Sequence, residues 1–512
     1  MRSLVLLAML VACSSSSSSK RDSAARELIA RARGTTVFGP TSEFVPSKRV
    51  GLDGMFGVRA PNECEVAILP GGEDSFAARM DLLARAKRTI RIQALIFTGD
   101  ESGLRVAEVL KQRKREGVDV RIIVDAVNNM GPQTQWMYFD LKQHGIEVEG
   151  YEAMGLQLVN ELPLPLLKPS SDPNHPNMRY HEKLWIIDPG TPDAEAVTGG
   201  LNIANEYFRV DPANVPRYWR DQDVLVRGAV LADLTTTFDR NWEHFKAIDA
   251  SRGGLSDLAW TAARKLMAKS GPPAIRFQRR DDLVRSVAAI EARPVTRSYQ
   301  PTRCRFFQSR PRLEETFIQQ AYLKLLDAAK HEVLIANAYF LPTLSTRLAI
   351  AEAASRCVRV VILSNGIETA DTPGMNTLAR GYYKELLAVN DSAGVKACPN
   401  GRGVEIWEWL GKKPGDAKQT QGLYHAKYAV ADRAVSLVGS YNLDPRSERL
   451  NSESAIVFDN AELAAQLSAI FLEQDLSTSR KISAQEAATF ERPSSVRKRL
   501  KKELAELFED QL

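Results

Sequence analysis

The sequence predicts an α/β protein assembled from two halves of like construction, and three observations carry this. Apolar strand-like runs alternate with helical segments. One strand–helix–strand order occurs twice along the chain, and a rare histidine-led octapeptide follows it each time. In the first copy, residues 89–97 (TIRIQALIF) read as a buried strand, 103–116 as a helix and 120–125 (VRIIVD) as a second strand. In the second copy, 332–340 (EVLIANAYF), 344–355 and 358–363 (VRVVIL) repeat the order. Shorter strand-like stretches, 145–148 (GIEV) and 403–407 (GVEIW), come next. Phe97 and Phe340 are as far apart, to within one residue, as the two octapeptide histidines, which points to duplication.

The octapeptides are His181-Glu182-Lys183-Leu184-Trp185-Ile186-Ile187-Asp188 and His425-Ala426-Lys427-Tyr428-Ala429-Val430-Ala431-Asp432. Both read H-x-K-x4-D, in a chain with only 6 histidines. Each is followed by a turn, Gly199-Gly200-Leu201-Asn202 or Gly439-Ser440-Tyr441-Asn442. These residue types suit a phosphodiester. A neutral imidazole can attack an anionic phosphodiester without charge repulsion and form a covalent intermediate. A second imidazole can protonate the leaving alkoxide and then activate the incoming alcohol or water. Lys183, Lys427, Asn202 and Asn442 supply donors for the non-bridging oxygens. Strand alternation puts His181 with Lys183, and His425 with Lys427, on one side. Asp188 and Asp432 fall on the opposite parity and read as ties to neighbouring backbone more than as catalysts. The chemistry calls for no cofactor, and no metal-ligand cluster is evident.

The twin motif resembles the double signature of the phospholipase D superfamily. The resemblance implies two pseudo-symmetric α/β/α sandwich halves with the active site at their interface. It implies a catalytic set of His181, Lys183, Asp188, His425, Lys427 and Asp432, with His181 as nucleophile and His425 as general acid and base. The family pattern GSxNxDxRSxxxNxE stands intact from Gly439 to Glu453, and the resemblance assigns Glu453 as the orienting partner of His425. In the first half Trp219-Arg220-Asp221 matches the family's WRD segment, making Asp221 the expected partner of His181, with Asp223 as the alternative. The stretch from Gly199 to Phe208 resembles the GGxNIxxEYF segment of bacterial cardiolipin synthases, the C-type especially. Segments 219–224, 238–242 and 72–79 resemble that group too. This implies phosphatidyl transfer, with phosphatidylglycerol or phosphatidylethanolamine as lipid substrates. Capture by water would make a hydrolytic phospholipase D instead. Relatives with the same core cut nucleic acid, but a net charge of +5 over 512 residues is weak support for that partner. A non-catalytic scaffold would have lost His, Lys or Asn in one half, and none is lost. Both half-sites lie in one chain, so a monomer is expected.

The ends carry further expectations. Residues 1–12 read as a signal peptide, with Met1-Arg2 ahead of an apolar core from Leu4 to Val11 that is too short to span a bilayer. Leu10-Val11-Ala12-Cys13 resembles the bacterial lipobox, which implies lipid attachment at Cys13. The protein is then an exported, membrane-anchored lipoprotein on the periplasmic or outer-surface side. The predicted layout continues with a serine-led tether and N-terminal segment over 13–50 and a first half over 51–250. A charged, less periodic connector over 251–300 follows, then a second half over 301–480 and a basic amphipathic tail over 481–512. Cys64, Cys304, Cys357 and Cys398 contain no CxxC spacing, and any disulfide pairing stays open. Cys357, at the head of an apolar run, reads as simply buried. Three segments are expected to border the mouth: a Pro-rich loop over 163–177, a polar loop over 411–421, and an insertion over 211–217.

Overall fold

Strands rich in Val and Ile form the centre of two eight-stranded sheets, buried as such runs require. The computed structural model describes residues 23–30, 33, 56–125, 128, 129, 131–150, 179–211, 213–250, 280–313, 315–371, 373–399 and 402–490. The first sheet holds β1 (Glu65–Leu69), β2 (Thr89–Ala94), β3 (Asp119–Val124), β4 (Glu147–Glu149), β5 (Leu184–Ile187), β6 (Glu195–Gly199), β7 (Asp223–Arg227) and β8 (Gln300–Pro301). The second holds β9 (Arg303–Ser309), β10 (Glu332–Asn337), β11 (Arg359–Asn365), β12 (Val404–Trp409), β13 (Lys427–Ala431), β14 (Val435–Gly439), β15 (Glu453–Asp459) and β16 (Ser479–Lys481).

The spatial orders are β4-β3-β2-β5-β6-β7-β1-β8 and β16-β12-β11-β10-β13-β14-β15-β9. Seven strands of each sheet therefore follow one scheme, and the duplication read from the sequence is a duplication of the fold. The eighth strand breaks the symmetry, joining β1 in one half and β12 in the other. In each half a parallel trio is linked by helices, Glu101–Arg115 between β2 and β3 and Leu344–Ser355 between β10 and β11. Asp100 starts the first of these by accepting from Gly103 N at 3.0 Å. The octapeptide strands β5 and β13 then enter antiparallel beside β2 and β10.

Helices cover the outer face of each sheet, and the inner faces pack towards each other together with helices Leu231–Ala250 and Ala461–Ala469. Leu184, Ile186 and Val224 share that inner core with Ala426, Tyr428 and Ile456. Cys64, just before β1, is disulfide-bonded to Cys304 in β9, so a covalent link crosses between the halves. Cys357 is not simply buried: it is bonded to Cys398.

Part of the expected connector is structured. Helix Asp281–Glu291 buries Leu283, Val287 and Ile290 in the first half's core, and β8 pairs with β1. The stretch reads as charged and less periodic, yet the apolar residues of 281–291 recur at helical spacing. Residues 251–279 lie outside the described residues. At the N-terminal side, residues 23–30 are helical and Ile29 packs into the second half. At the C-terminal side, helix Ala484–Thr489 buries Ala487 in the same core. The signal peptide, Cys13, the 163–177 loop and the tail beyond residue 490 lie outside the described residues.

Candidate active site

His181 and His425 sit immediately before β5 and β13, where the two inner sheet faces meet. Both are buried, at 6% and 4% exposure. His181 Nδ1 lies 2.7 Å from Glu453 Oε2, and His425 Nδ1 lies 2.6 Å from Asp221 Oδ2. With each Nδ1–H donated to a carboxylate, each Nε2 keeps its lone pair for substrate.

The two acids are the expected ones, but the pairing is crossed. The sequence reading gave Asp221 to His181 and Glu453 to His425; the structure exchanges them. The reason is sheet order. His181 leads into β5 and Asp221 into β7, with β6 between them. Two strand spacings put the acid of the same half about 10 Å away. The facing half supplies one next door. Tyr180 bridges Ser452 and Arg220 bridges Tyr424, so each histidine segment runs alongside the segment carrying the other half's acid. Asp223, the alternative, serves elsewhere: it accepts from Ser75 Oγ at 2.6 Å and pairs with Arg79 at 2.7 Å.

The turns explain themselves at this site. A Cβ on Gly200 would sit 2.0 Å from Asp221 Oδ1, so only glycine lets that carboxylate reach across. The equivalent Ser440 instead donates to Glu453 Oε2 at 2.5 Å. Ser447 Oγ at 2.8 Å and Asn451 Nδ2 at 3.2 Å complete the hold on Glu453. Lys183 Nζ donates to the His181 carbonyl at 2.6 Å, and Lys427 Nζ to the His425 carbonyl. Asn202 is anchored at both ends, accepting from Ile96 N at 3.1 Å and donating to Tyr207 Oη at 2.7 Å. Asn442 differs. Among the described residues its buried side-chain oxygen has no partner, so this amide can turn its NH2 to an anion.

Asp188 and Asp432 are not at the chemistry. Asp188 accepts from Lys87 N, Arg88 N and Thr89 N, each at 2.7 Å. Asp432 accepts from Lys330 N, His331 N and Glu332 N at 2.8, 2.7 and 2.9 Å. Each caps the start of the neighbouring strand at the far end of its own, about 20 Å along the chain from its histidine. The parity argument from the sequence stands, and their inclusion among catalytic residues is corrected.

Electrostatics favour neutral imidazoles. Burial is the main cause that lowers His181, to about 4, and Lys183 and Lys427 add repulsion of an imidazolium while Glu453 opposes. Burial, then Lys427, Lys183 and His181, takes His425 well below its ordinary value. Burial also brings Lys183 down to about 7 and Lys427 down to about 8, and raises Asp221 to about 6. The site thus sets two neutral imidazoles beside two lysines whose ammonium forms suit an anionic group.

Sequence reasoning missed the walls. Tyr207, Trp219 and Tyr339 stand around the His425 ring at centroid distances of 5.4, 5.1 and 6.3 Å. Tyr207 and Trp219 lie inside motif segments, so their presence was readable although their role was not. Tyr339 follows β10 near the end of the run 332–340, where nothing in the sequence marks it as a wall of the site. Arg209, just ahead of the 211–217 insertion, donates to Gln421 Oε1 at the end of the 411–421 loop at 3.0 Å.

A family model described as "Cardiolipin synthase, PLD-like domain" matches residues 80–242 and 322–476, one stretch in each half. A cardiolipin synthase of Geobacillus thermodenitrificans is 26% identical over 391 residues, covering 76% of this chain and 62% of that protein. The major cardiolipin synthase ClsA of Bacillus subtilis is 27% identical over 425 residues, covering 82% of this chain and 70% of that protein. Among solved structures, the phosphatidylserine synthase of Haemophilus influenzae Rd KW20 superposes with a TM-score of 0.58 at 15% identity, over 88% of this chain and 96% of that one, a likeness of fold. The family match takes in more than half of the chain and brackets both histidines, and the chain belongs to the phospholipase D superfamily, in the family of cardiolipin synthase, PLD-like domains.

Proposed function

We propose that the protein is a phosphatidyltransferase that forms cardiolipin through a covalent phosphatidyl-histidine. The observation that carries this reading is the crossed arrangement: two buried imidazoles, each oriented through Nδ1 by the other half's acid, with Lys183 and Lys427 beside them. His181 Nε2 attacks the phosphorus of a phosphatidyl donor. The P–N bond forms, the P–O bond to the leaving alcohol breaks, and His425 Nε2–H gives that oxygen its proton. His425, now neutral, takes the proton of an incoming lipid alcohol, whose oxygen attacks phosphorus and releases His181. In the free site burial, then the surrounding cations, hold His425 neutral. A bound phosphodiester anion offsets their repulsion and lets His425 carry the proton it must donate. Relatives named cardiolipin synthases support the lipid donor and acceptor.

The proposed setting is a membrane surface reached through a lipidated Cys13. The two disulfides fit an oxidising compartment, as an exported lipoprotein requires. The test incubates purified protein with labelled phosphatidylglycerol, with and without glycerol or phosphatidylethanolamine. Cardiolipin as product supports the proposal. Phosphatidic acid alone makes the protein a hydrolase, and plasmid nicking without lipid turnover makes it a nuclease. His181→Ala should abolish covalent labelling by substrate; persistent labelling would move the nucleophile to His425.

A further inference from the structure

Glu182 lies between His181 and Lys183 and points to the other side of the strand. It is fully buried. Its Oε1 accepts from Gln308 Nε2 at 2.9 Å, from Asn241 Nδ2 at 3.1 Å and from Ser452 Oγ; its Oε2 accepts from Gln93 Nε2 at 2.9 Å. These four donors are neutral and come from β2, helix Leu231–Ala250, β9 and the residue before β15, so they span both halves. A buried carboxylate held by neutral groups alone is costly, and the proposed chemistry does not use it.

Its partner Ser452 has a special place. His181 N donates to Ser452 O at 2.8 Å, and Ser452 N donates to Arg179 O at 2.9 Å. The next residue is Glu453, the acid that orients His181. The other half holds the counterpart. Arg220 immediately precedes Asp221 and makes the same backbone bonds, with His425 N donating to its carbonyl at 2.7 Å and its own N donating to Leu423 O at 2.8 Å. The Arg220 side chain is pinned by the buried Asp475 at 2.9 Å, which also accepts from Tyr424 Oη at 2.9 Å. At both histidines, then, the residue ahead of the orienting acid is clamped to a buried carboxylate. The chemistry differs, since Glu182 corresponds to Ala426 and Ser452 to Arg220. The clamp recurs although its residues do not, which argues against incidental packing.

We propose that Glu182 is a positioning residue that, through Ser452, holds Glu453 in line with His181 Nδ1. Losing it lets Glu453 drift and leaves His181 facing Lys183 and Lys427 with less compensation, so its imidazolium becomes harder to form. Only the activity arm of the test rests on the phosphatidyltransferase reading.

The test uses the full chain with 15N-labelled imidazoles. Its 6 histidines keep the spectrum tractable, and His181→Ala and His425→Ala assign the two signals. Glu182→Gln keeps the size but turns an NH2 towards groups that donate. The His181 resonance should shift and its titration midpoint fall, with His425 unmoved. Where lipid turnover is measured, kcat should fall about 10–100-fold with KM within about twofold. Ser452→Ala removes one hydrogen bond and should reproduce the His181 shift, which keeps the proposal testable if Glu182→Gln does not fold. An unmoved His181 signal in either folded variant overturns the proposal, as does an equal shift of both histidines, which would mean general loosening. No turnover by the unmodified protein would sink the proposed function, while the imidazole spectra would still decide the role of Glu182.

Discussion

Substituting Asp188 separates structure from catalysis within the signature motif. Its carboxylate is 3% exposed and accepts three backbone N–H groups that open β2. Its φ of 48° is left-handed, a conformation Asn tolerates nearly as well as Asp. Asp188→Asn therefore changes the hydrogen bonds while keeping the backbone. Oδ1 takes Arg88 N and Thr89 N, and an amide oxygen there can keep both at reduced strength. Lys87 N on Oδ2 would face an NH2 and lose its acceptor. One lost charge-assisted bond with an unpaired N–H, plus two weakened bonds, gives a cost of about 2–4 kcal/mol. Asp188→Ala loses all three bonds and the left-handed preference, for roughly 4–6 kcal/mol. The assay is urea unfolding beside steady-state lipid turnover at a temperature where each variant is folded. Stability should fall by these amounts, with kcat of the folded Asn variant within about twofold of the unmodified protein. A 100-fold drop in kcat at unchanged stability would refute the reasoning and return Asp188 to the catalytic set.

Three more outcomes are expected. Glu453→Gln should perturb the imidazole signal of His181 and not that of His425, and Asp221→Asn should do the reverse. The opposite assignment would mean the crossed pairing is wrong. The Cys64–Cys304 bond spans 240 residues and the Cys357–Cys398 bond spans 41. Chain-entropy arithmetic gives about 5.5 and about 4 kcal/mol respectively as upper values, so Cys64→Ser/Cys304→Ser should lower unfolding stability more than Cys357→Ser/Cys398→Ser. An equal or reversed ranking in urea titrations contradicts it. With Lys183 near 7 and Lys427 near 8, the charges that attract a phosphodiester are present below that range and lost as pH rises through it. Log kcat/KM, which reports the free enzyme, should therefore fall on the alkaline side between about pH 7 and 8. A profile flat to pH 9 would show the lysines stay charged.

Much of this molecule was legible because its signals are local. Alternation placed His181 with Lys183 and set Asp188 on the opposite parity, and Asp188 indeed ties down the backbone that opens β2. The 344–355 helix was found with its own bounds, and the other repeated elements shifted only by a few residues at their ends. What was not legible depends on neighbours distant in sequence. Helix Asp281–Glu291 is held by the first half's core and by pairs such as Arg105–Glu291 at 2.8 Å, which a reading of charge density takes for a solvated linker. The partner of Cys357, Cys398, lies just after the short helix Ala393–Lys396, with no spacing rule to announce it. The clamp at Glu182 gathers four elements, none adjacent to it in sequence.

The crossed acids carry the largest consequence. In-half pairing was the natural reading, since each half contains one histidine and one acid in the expected motifs. Sheet order forbids it: β6 and β14 intervene, and no rotamer of a carboxylate spans two strand spacings. A single half would therefore present its imidazole with no orienting acceptor, and its acid buried without the histidine it serves. Neither tautomer nor ring orientation would be fixed. The two halves thus share one candidate site, and under the proposed function each imidazole needs the acid of the facing half. This also explains why the halves are fastened so heavily around the histidines. The bridges at Tyr180–Ser452 and Arg220–Tyr424 and the buried Arg220–Asp475 pair lie beside the histidines, and the Cys64–Cys304 bond crosses the same seam at the other end of β1 and β9. A site whose two imidazoles each depend on a carboxylate from across an interface tolerates little sliding of that interface. A displacement of 1 Å would break hydrogen bonds of 2.6 and 2.7 Å together, and both histidines would lose orientation in one step.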